Sequence, residues 1–272
     1  MNILAKIPRT WQRVGLFVVL TYVISTPFMF LAIINGSMNA AHGLYALGGM
    51  SSPSVAALIT VLIFKKEVGS FGWHWGKWKY QIWSILIPFF YCLIGYSLVW
   101  LLGLGNLLPE KVVSRLVPLA ISLTMGCIFA LGEEIGWTGF LIPQVAKEYG
   151  FTTAAFTRGI VWSVWHYPMI IYGIYGNQST PLWFNLFCFT IFLTGISFIF
   201  TWLRLKSGSL WTGMFIHASH NGFIQSFFTP ITGTSLITGY FIGEFGVALT
   251  LISIVLAFLF WRKRTNLPTE VV

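Results

Sequence analysis

The chain has 272 residues, of which 56% are hydrophobic and only 8% are charged, and its formal net charge is +9. About 25% charged residues would be ordinary for a soluble domain. This composition therefore excludes a soluble domain and predicts a protein that crosses a membrane several times. The 16 basic residues lie in short stretches between long apolar runs, not on one amphipathic face, which excludes a nucleic-acid partner. The cysteines, Cys92, Cys127 and Cys188, have neither a paired nor a metal-ligating spacing.

Eight apolar segments follow one another along the chain as predicted membrane spans. They are residues 14–34, 50–64, 82–104, 116–140, 159–175, 182–203, 209–228 and 239–261. The second segment is the least certain span because it is short, and about 20 residues are normally needed to cross a bilayer. The sequence therefore predicts an all-α, polytopic membrane protein with about eight transmembrane helices, in which residues 1–272 form a single membrane-embedded domain.

The basic residues divide unequally between the two sides of such a topology. If all eight segments cross the bilayer, 14 of the 16 Lys and Arg residues fall on one side, and only Lys111 and Arg115 fall on the other. Arg158, just before the fifth segment, counts among the 14. Because Lys and Arg are enriched in cytoplasmic loops, we expect an integral protein of the cell membrane with both termini in the cytoplasm.

Two adjacent carboxylates, Glu133 and Glu134, follow an uncharged apolar run in the fourth segment. A charged side chain at the centre of a membrane helix costs roughly 2.5–3.5 kcal/mol, so such residues indicate a functional site by default. At a rise of about 1.5 Å per residue, the carboxylates lie at a depth similar to that of His166 in the fifth segment and of His217 and Asn221 in the seventh. We expect these groups to share one cavity that opens near the cytoplasmic side.

The chemistry of this set suits hydrolysis of an amide or an ester. A carboxylate beside an imidazole in a low-dielectric pocket can activate a water molecule as a general base. His217 and Asn221 are four residues apart and share one helix face, with His220 at its border, so an imidazole and an amide there can donate to a developing oxyanion. Alternatively, Glu133, His166 and His217 would make a three-ligand Zn²⁺ site with one open position.

Three motifs within residues 115–230 resemble those of a known family, the CAAX protease and bacteriocin-processing (CPBP, or Abi) family of intramembrane endopeptidases. The similarity includes the order, spacing and helical placement of Glu133-Glu134, Trp162-x-x-x-His166 and His217-x-x-x-Asn221. The resemblance implies that residues 115–230 form the catalytic core.

Specific roles follow from the resemblance. It implies that Glu133 and His166 activate the attacking water with Glu134 in support, and that His217 and Asn221 stabilise the oxyanion. It also implies a membrane-associated or prenylated CAAX-type protein as the substrate, although a leader peptide or a bacteriocin is an alternative where proteins are not prenylated. The family has been described both as zinc-dependent and as a set of metal-free glutamate proteases, so the sequence leaves Zn²⁺ open.

Two positions depart from the family's pattern. The first motif usually ends in Arg, where this chain has Thr138, and the second usually begins with Phe, where it has Trp162. The first departure removes a cation that could have paired with a carboxylate.

Two other functions stay open at this stage. Buried Glu and His could serve as the relay of a proton-coupled transporter, although the chain has no obvious inverted repeat. A non-catalytic bacteriocin-immunity membrane protein would retain the pocket and act by binding alone. An aspartyl protease of the Asp type is excluded, since the chain contains no Asp. The prediction is an intramembrane endopeptidase, of the metallo or the glutamate type.

Overall fold

The computed structural model describes residues 7–65, 71–233 and 235–268. It is 80% helical, which confirms the predicted all-α class. The α-helices are α1 (Arg9–Ile34), α2 (Leu44–Ile63), α3 (Trp78–Leu101), α4 (Pro109–Val112), α5 (Leu116–Glu134), α6 (Ile142–Ile171), α7 (Leu182–Ser207), α8 (Trp211–Asn221) and α9 (Val247–Arg262). Two π-helices of seven residues each, Ile135–Leu141 and Gly222–Phe228, continue α5 and α8 directly.

Short elements complete the described chain. Single turns of 3₁₀-helix lie at Ala41–Gly43, Val113–Arg115, Thr238–Tyr240 and Lys263–Asn266. The strands β1 (Asn106–Leu107) and β2 (Thr232–Gly233) form one antiparallel pair, in which Asn106 lies opposite Gly233. This pair ties the connection after α3 to the connection before α9.

Five helical stretches of the described residues are long and apolar enough to cross a membrane. They are Arg9–Ile34, Leu44–Ile63, Trp78–Leu101, Pro109–Ile171 and Leu182–Ser207. The second, the least certain in the sequence, is a full helix of 20 residues. The predicted count of about eight is not confirmed, because α4 to α6 form one continuous helical run and because α8 and α9 have only 11 and 16 residues.

The helices have two distinct ends. At one end, called here the basic end, the backbone N–H of Leu210 donates to Gly72 O over 2.8 Å and the indole N–H of Trp202 donates to Lys263 O over 3.0 Å. The basic end carries Arg9, Arg13, Lys65, Lys77, Lys79, Lys147, Lys206, Arg262, Lys263 and Arg264.

At the opposite end, Asn177 donates to Gly239 O over 2.7 Å, beside the β1–β2 pair. Lys111 and Arg115 belong to this end. The unequal division of charge expected from the sequence is therefore present in the fold. Which end faces the cytoplasm stays a prediction. Residues 1–6 and 269–272, and thus both termini, lie outside the described residues, as do Lys6 and Lys66.

Three glycines determine how the helices approach the region of the carboxylates. Gly150 interrupts α6 with φ 76° and ψ 175°, a left-handed region that favours glycine, so the C-terminal part of α6 takes a new direction. A Cβ on Gly136 would lie 2.6 Å from Pro53 O, and one on Gly159 would lie 2.5 Å from the Cα of Thr194. The backbones of α2 and α7 therefore pack directly against the segments that carry the predicted site.

Candidate active site

A cavity of about 320 Å³ lies among the helices and collects most of the predicted site. Its polar lining residues include Glu133, His166, His217, His220, Asn221, Gln225 and Glu244. Four of the five predicted catalytic residues thus share one cavity, although they come from α5, α6 and α8. The fifth, Glu134, lies behind the wall and is fully buried.

Two indole groups hold the carboxylate of Glu133. Oε2 accepts a hydrogen bond from Trp162 Nε1 over 2.9 Å and another from Trp137 Nε1 over 3.2 Å. Oε1 has no hydrogen-bond partner among the described residues, and Glu133 lines the cavity. One oxygen is therefore fixed by the protein, while the other is available to a molecule in the cavity.

Trp162 also brings the two histidines together. Its ring centroid lies 5.9 Å from that of His166 and 5.2 Å from that of His217, both in edge-on contact. His166 Nδ1 lies 2.8 Å from Trp162 O. A carbonyl oxygen can only accept, so Nδ1 carries the proton, and the neutral ring presents Nε2 as a proton acceptor. His166 is therefore held in the tautomer that a general base requires.

Glu134 is the centre of a buried charged cluster. Arg158 Nη2 donates to both of its oxygens, over 2.9 Å to Oε1 and 3.1 Å to Oε2. Thr138 Oγ1 donates to Oε2 over 2.5 Å, and His217 Nδ1 donates to Oε1 over 3.0 Å. Glu134 therefore fixes the ring of His217, and a proton on Nδ1 leaves Nε2 for the cavity.

The charge count wrongly placed Arg158 in a cytoplasmic loop. Arg158 lies within α6 and is fully buried, like its partner Glu134. Its guanidinium is sandwiched between two rings, with Cζ 3.7 Å from the centroid of Phe200 and 4.3 Å from that of Trp162. Nη1 donates to Ser197 Oγ over 3.0 Å. A buried charge needs a paired counter-charge, and the Glu134 carboxylate provides it.

A second polar cluster lies across the cavity, around Glu244. Gln225 Nε2 donates to Glu244 Oε1 over 2.8 Å, and the hydroxyl of Tyr175 donates to Oε2. His220 Nε2 lies 3.6 Å from Oε1, while its Nδ1 lies 2.6 Å from the hydroxyl of Tyr91. His220, at the border of the predicted face, therefore belongs to this cluster and not to the group around Trp162.

The cavity extends toward the opposite end of the bundle. Its lining includes Met38 and the exposed Asn39 from the connection between α1 and α2, together with Tyr175 from the connection between α6 and α7. Among the described residues, its lining includes none from the connections at the basic end. The lining therefore reaches the end opposite the basic one, whereas an opening at the basic, predicted cytoplasmic end was expected. Which side of the membrane the cavity faces stays a prediction.

The predicted zinc ligands lie near one another without forming a metal-binding group. No three His, Cys, Asp or Glu side chains of the described residues are arranged to hold a metal ion. The donor chemistry is suitable, because His166 and His217 each have Nδ1 engaged by an oxygen and Nε2 left over, which is typical of zinc-binding histidines. The two imidazoles and the Glu133 carboxylate do not point to one common position among the described residues, so the zinc site stays a prediction.

Comparison with known proteins gives a match over this same region. Residues 115–223 match the family described as Rce1-like, type II CAAX prenyl endopeptidase. This match covers less than half of the chain, so it shows a similarity of this segment to the family. A stretch of 98 residues is also 36% identical to CAAX prenyl protease 2 of Methanococcus maripaludis, and covers 34% of this chain and 33% of that protein. The chain thus spans about a third of the length of this curated relative.

Within the matched segment, the structure shows what surrounds Thr138. The cation that Thr138 lacks comes instead from Arg158, one helix further along the chain, and Thr138 keeps a hydrogen bond to the same carboxylate. Thr138 is fully buried, and a Cβ on Gly213 would lie 2.5 Å from its Oγ1, so α8 passes directly beside it. Glu134 therefore has a cationic partner although position 138 is Thr.

Sequence reasoning missed several residues of this site. Arg158, Trp162 and His166 follow one another at intervals of four, which places them on one helix face, and this spacing was the available signal for Arg158. Of the two indole donors to Glu133, Trp162 begins the second motif, whereas Trp137 had no separate signal because tryptophan is common throughout the chain. Glu244 lies in the connection before α9, which begins at Val247 and not at residue 239 as predicted.

Proposed function

We propose that this chain is an intramembrane endopeptidase that hydrolyses a peptide bond of a membrane-associated or prenylated, CAAX-type substrate. The observation that carries the proposal is the shared cavity, in which Glu133, His166, His217 and Asn221 meet although they come from three helices. The name of the matched family and that of the archaeal relative support a protease. We infer that residues 115–230 act as the catalytic core of a single membrane-embedded domain.

The attacking water would lie between Glu133 and His166. Glu133 Oε1 and His166 Nε2 are the groups left free to accept its two protons, because the other atom of each side chain is already engaged. Transfer of one proton to either base leaves a hydroxide-like oxygen to attack the scissile carbonyl carbon, and the proton is later given to the leaving amine. Trp137 and Trp162 would fix the position of the carboxylate throughout.

His217 and Asn221 would stabilise the negative oxygen that forms on the attacked carbonyl. Asn221 lines the cavity, and its amide has no hydrogen-bond partner among the described residues, so its N–H₂ group is available. His217 can donate from Nε2 only if it also keeps the proton on Nδ1. The Glu134 carboxylate at Nδ1 is the counter-ion that such an imidazolium requires. Arg158 in turn holds Glu134.

The role of Zn²⁺ is part of the proposal and not of the described geometry. If a zinc ion binds, Glu133, His166 and His217 are the residues that would hold it, and it would polarise a bound water. The hydrogen bonds of both imidazoles at Nδ1 would then orient the ligands. The proton transfers described above involve only side chains of this chain.

The approach of the substrate follows from the position of the cavity. We infer that the basic end faces the cytoplasm, since Lys and Arg are enriched in cytoplasmic loops. The cavity would then open toward the other side of the membrane, at Asn39. A peptide cleaved outside the cytoplasm, such as a leader peptide, is therefore the substrate to test beside a prenylated one.

The test is cleavage of defined peptides by the purified full chain in detergent. Matched prenylated and unprenylated CAAX peptides and a leader-type peptide are compared for wild type, Glu133→Gln and His166→Ala. Glu148→Gln, an exposed carboxylate on α6, is the matched control. Cleavage that disappears in the first two variants and persists in the third supports the proposal, and zinc content measured on the same samples decides the metal question. A folded wild type that cleaves none of the peptides contradicts it.

A further inference from the structure

A groove of about 790 Å³ lies between α3, α7 and α9, outside the catalytic cavity. Its floor is buried and consists of Tyr91, Leu203 and Phe260, which are 3%, 1% and 7% exposed. Its rim consists of exposed apolar side chains, among them Phe90 and Ile94. A recess with these walls, on helices α3 and α7 that are long and apolar enough to cross a membrane, is accessible to hydrocarbon chains.

Three lysines surround the groove where it reaches the basic end. Lys79 Nζ lies 5.1 Å from the ring centroid of Tyr80, and Lys263 Nζ lies 5.2 Å from that of Phe260. Lys206 Nζ donates to Asn266 O. All three residues line the groove, and they come from the start of α3, the end of α7 and the 3₁₀ turn after α9. The positive charge at this end is therefore assembled by the tertiary fold and not by a run of basic residues.

A smaller polar recess of about 620 Å³ adjoins the groove at the lysines. It shares Tyr80, Lys206 and Asn266 with the groove and adds Lys77 and Ser207. No acidic side chain of the described residues lines either space. The two spaces together thus offer an apolar channel that ends in a polar, positively charged recess.

We propose that this groove binds an anionic phospholipid, with an acyl chain along α3 and α9 and the phosphate beside Lys79, Lys206 and Lys263. Charge complementarity selects the occupant, because an ammonium is a compact point charge that binds phosphate, and basic pockets between transmembrane helices bind anionic head groups. A soluble anion would leave the apolar channel unused, and a zwitterionic lipid would leave the lysines uncompensated. The bound lipid would contact Tyr91, whose hydroxyl reaches His220 in the catalytic cavity.

The test compares two lipids that differ only in the head group. The full chain, purified in detergent, is mixed with equal amounts of phosphatidylglycerol and phosphatidylcholine of identical acyl chains, and retained lipid is counted by native mass spectrometry. We expect at least a tenfold preference for phosphatidylglycerol. Lys79→Gln, Lys206→Gln and Lys263→Gln should each lower the preference by about fivefold, as expected for one lysine near an anionic head group.

The control removes three positive charges from the same end, whereas each groove variant removes one. Arg9→Gln, Lys65→Gln and Lys147→Gln together neutralise three exposed residues of the basic end that lie outside the groove, and they should leave the preference unchanged. Ile94→Trp, at a position 52% exposed, narrows the apolar channel and should reduce retention of both lipids.

Two results would overturn the proposal. One is equal retention of the two lipids by wild type, or an equal loss of preference in the groove variants and in the control. The other is a combined result, in which millimolar glycerol 3-phosphate displaces phosphatidylglycerol and Ile94→Trp retains as much lipid as wild type. This result would indicate a site for free anions only. Thermal melting of each variant separates a loss of binding from a loss of folding.

Discussion

Replacing Arg158 with Met should destabilise the protein strongly. Arg158 and Glu134 are both fully buried and make two contacts of 2.9 and 3.1 Å. Met keeps much of the side-chain volume but leaves the Glu134 carboxylate with only Thr138 and His217 as donors. Removing one partner of a buried pair costs about 3–5 kcal/mol. At about 2–4 °C per kcal/mol for a chain of this size, the midpoint of thermal unfolding should fall by roughly 6–20 °C.

The assay is thermal unfolding of the purified protein in one detergent, followed by circular dichroism and by peptide cleavage of the same samples. Arg262→Met is the matched control, because Arg262 is exposed at the end of α9, and it should change the free energy of unfolding by less than about 0.5 kcal/mol. Arg158→Lys keeps the charge without the forked geometry and should fall between wild type and Arg158→Met.

A double substitution separates stability from function. In Arg158→Met with Glu134→Gln the uncompensated charge is gone, so most of the lost stability should return. Cleavage should not return, because the carboxylate that holds the ring of His217 is absent. The reasoning is refuted if Arg158→Met melts like wild type, or if the second substitution adds its own full cost instead of restoring stability.

Three further predictions concern other parts of the structure. Thr138→Val removes one hydrogen bond to Glu134 while Arg158 stays in place, so it should lower the free energy of unfolding by about 1 kcal/mol in the same assay. A loss as large as that of Arg158→Met would contradict the larger contribution assigned to Arg158. Gly159→Ala must push α6 away from the backbone of α7 and should lower the melting temperature. Gly15→Ala places its added carbon with no atom within 4 Å, so it should leave the melting temperature unchanged or raise it. Equal effects of the two substitutions would argue against the close approach of α6 and α7. A membrane-impermeant maleimide should label Asn39→Cys in intact cells and Glu148→Cys only after the membrane is opened; the reverse pattern would show that the cavity faces the cytoplasm.

The sequence was sufficient to predict the all-α class and four residues that share one cavity. Apolar length predicted α1, α3 and α7, and α2 proved longer than its apolar core indicated. The first half of α6 lay between two predicted spans and was missed. The spacing of the motifs identified four residues that share the cavity, because helical periodicity fixes which side chains lie on one face. Glu134 lies outside the cavity lining and is buried, and its supporting role stays a prediction.

Other features required the tertiary structure. The charge count treated Arg158 as a loop residue because a sequence window cannot reveal that a counter-charge 24 positions earlier is adjacent in space. The direction in which the cavity extends depends on how α1 and α2 pack, which the motifs do not report. The span count is not confirmed for α8 and α9, because a π-helix continues the first and an irregular connection precedes the second.

The two π-helices affect how the chain tolerates insertions and deletions. Each begins immediately after a group of site residues, the first after Glu134 and the second after Asn221, and each is paired by i to i+5 hydrogen bonds. A wide turn of this kind can lose one residue and tighten into an α-turn, so a deletion within the part of the π-helix after Thr138 can be absorbed locally. The same deletion one turn earlier, in α5, would rotate both carboxylates by about 100° relative to the preceding helix. Changes in chain length are therefore better tolerated just after the site residues than just before them.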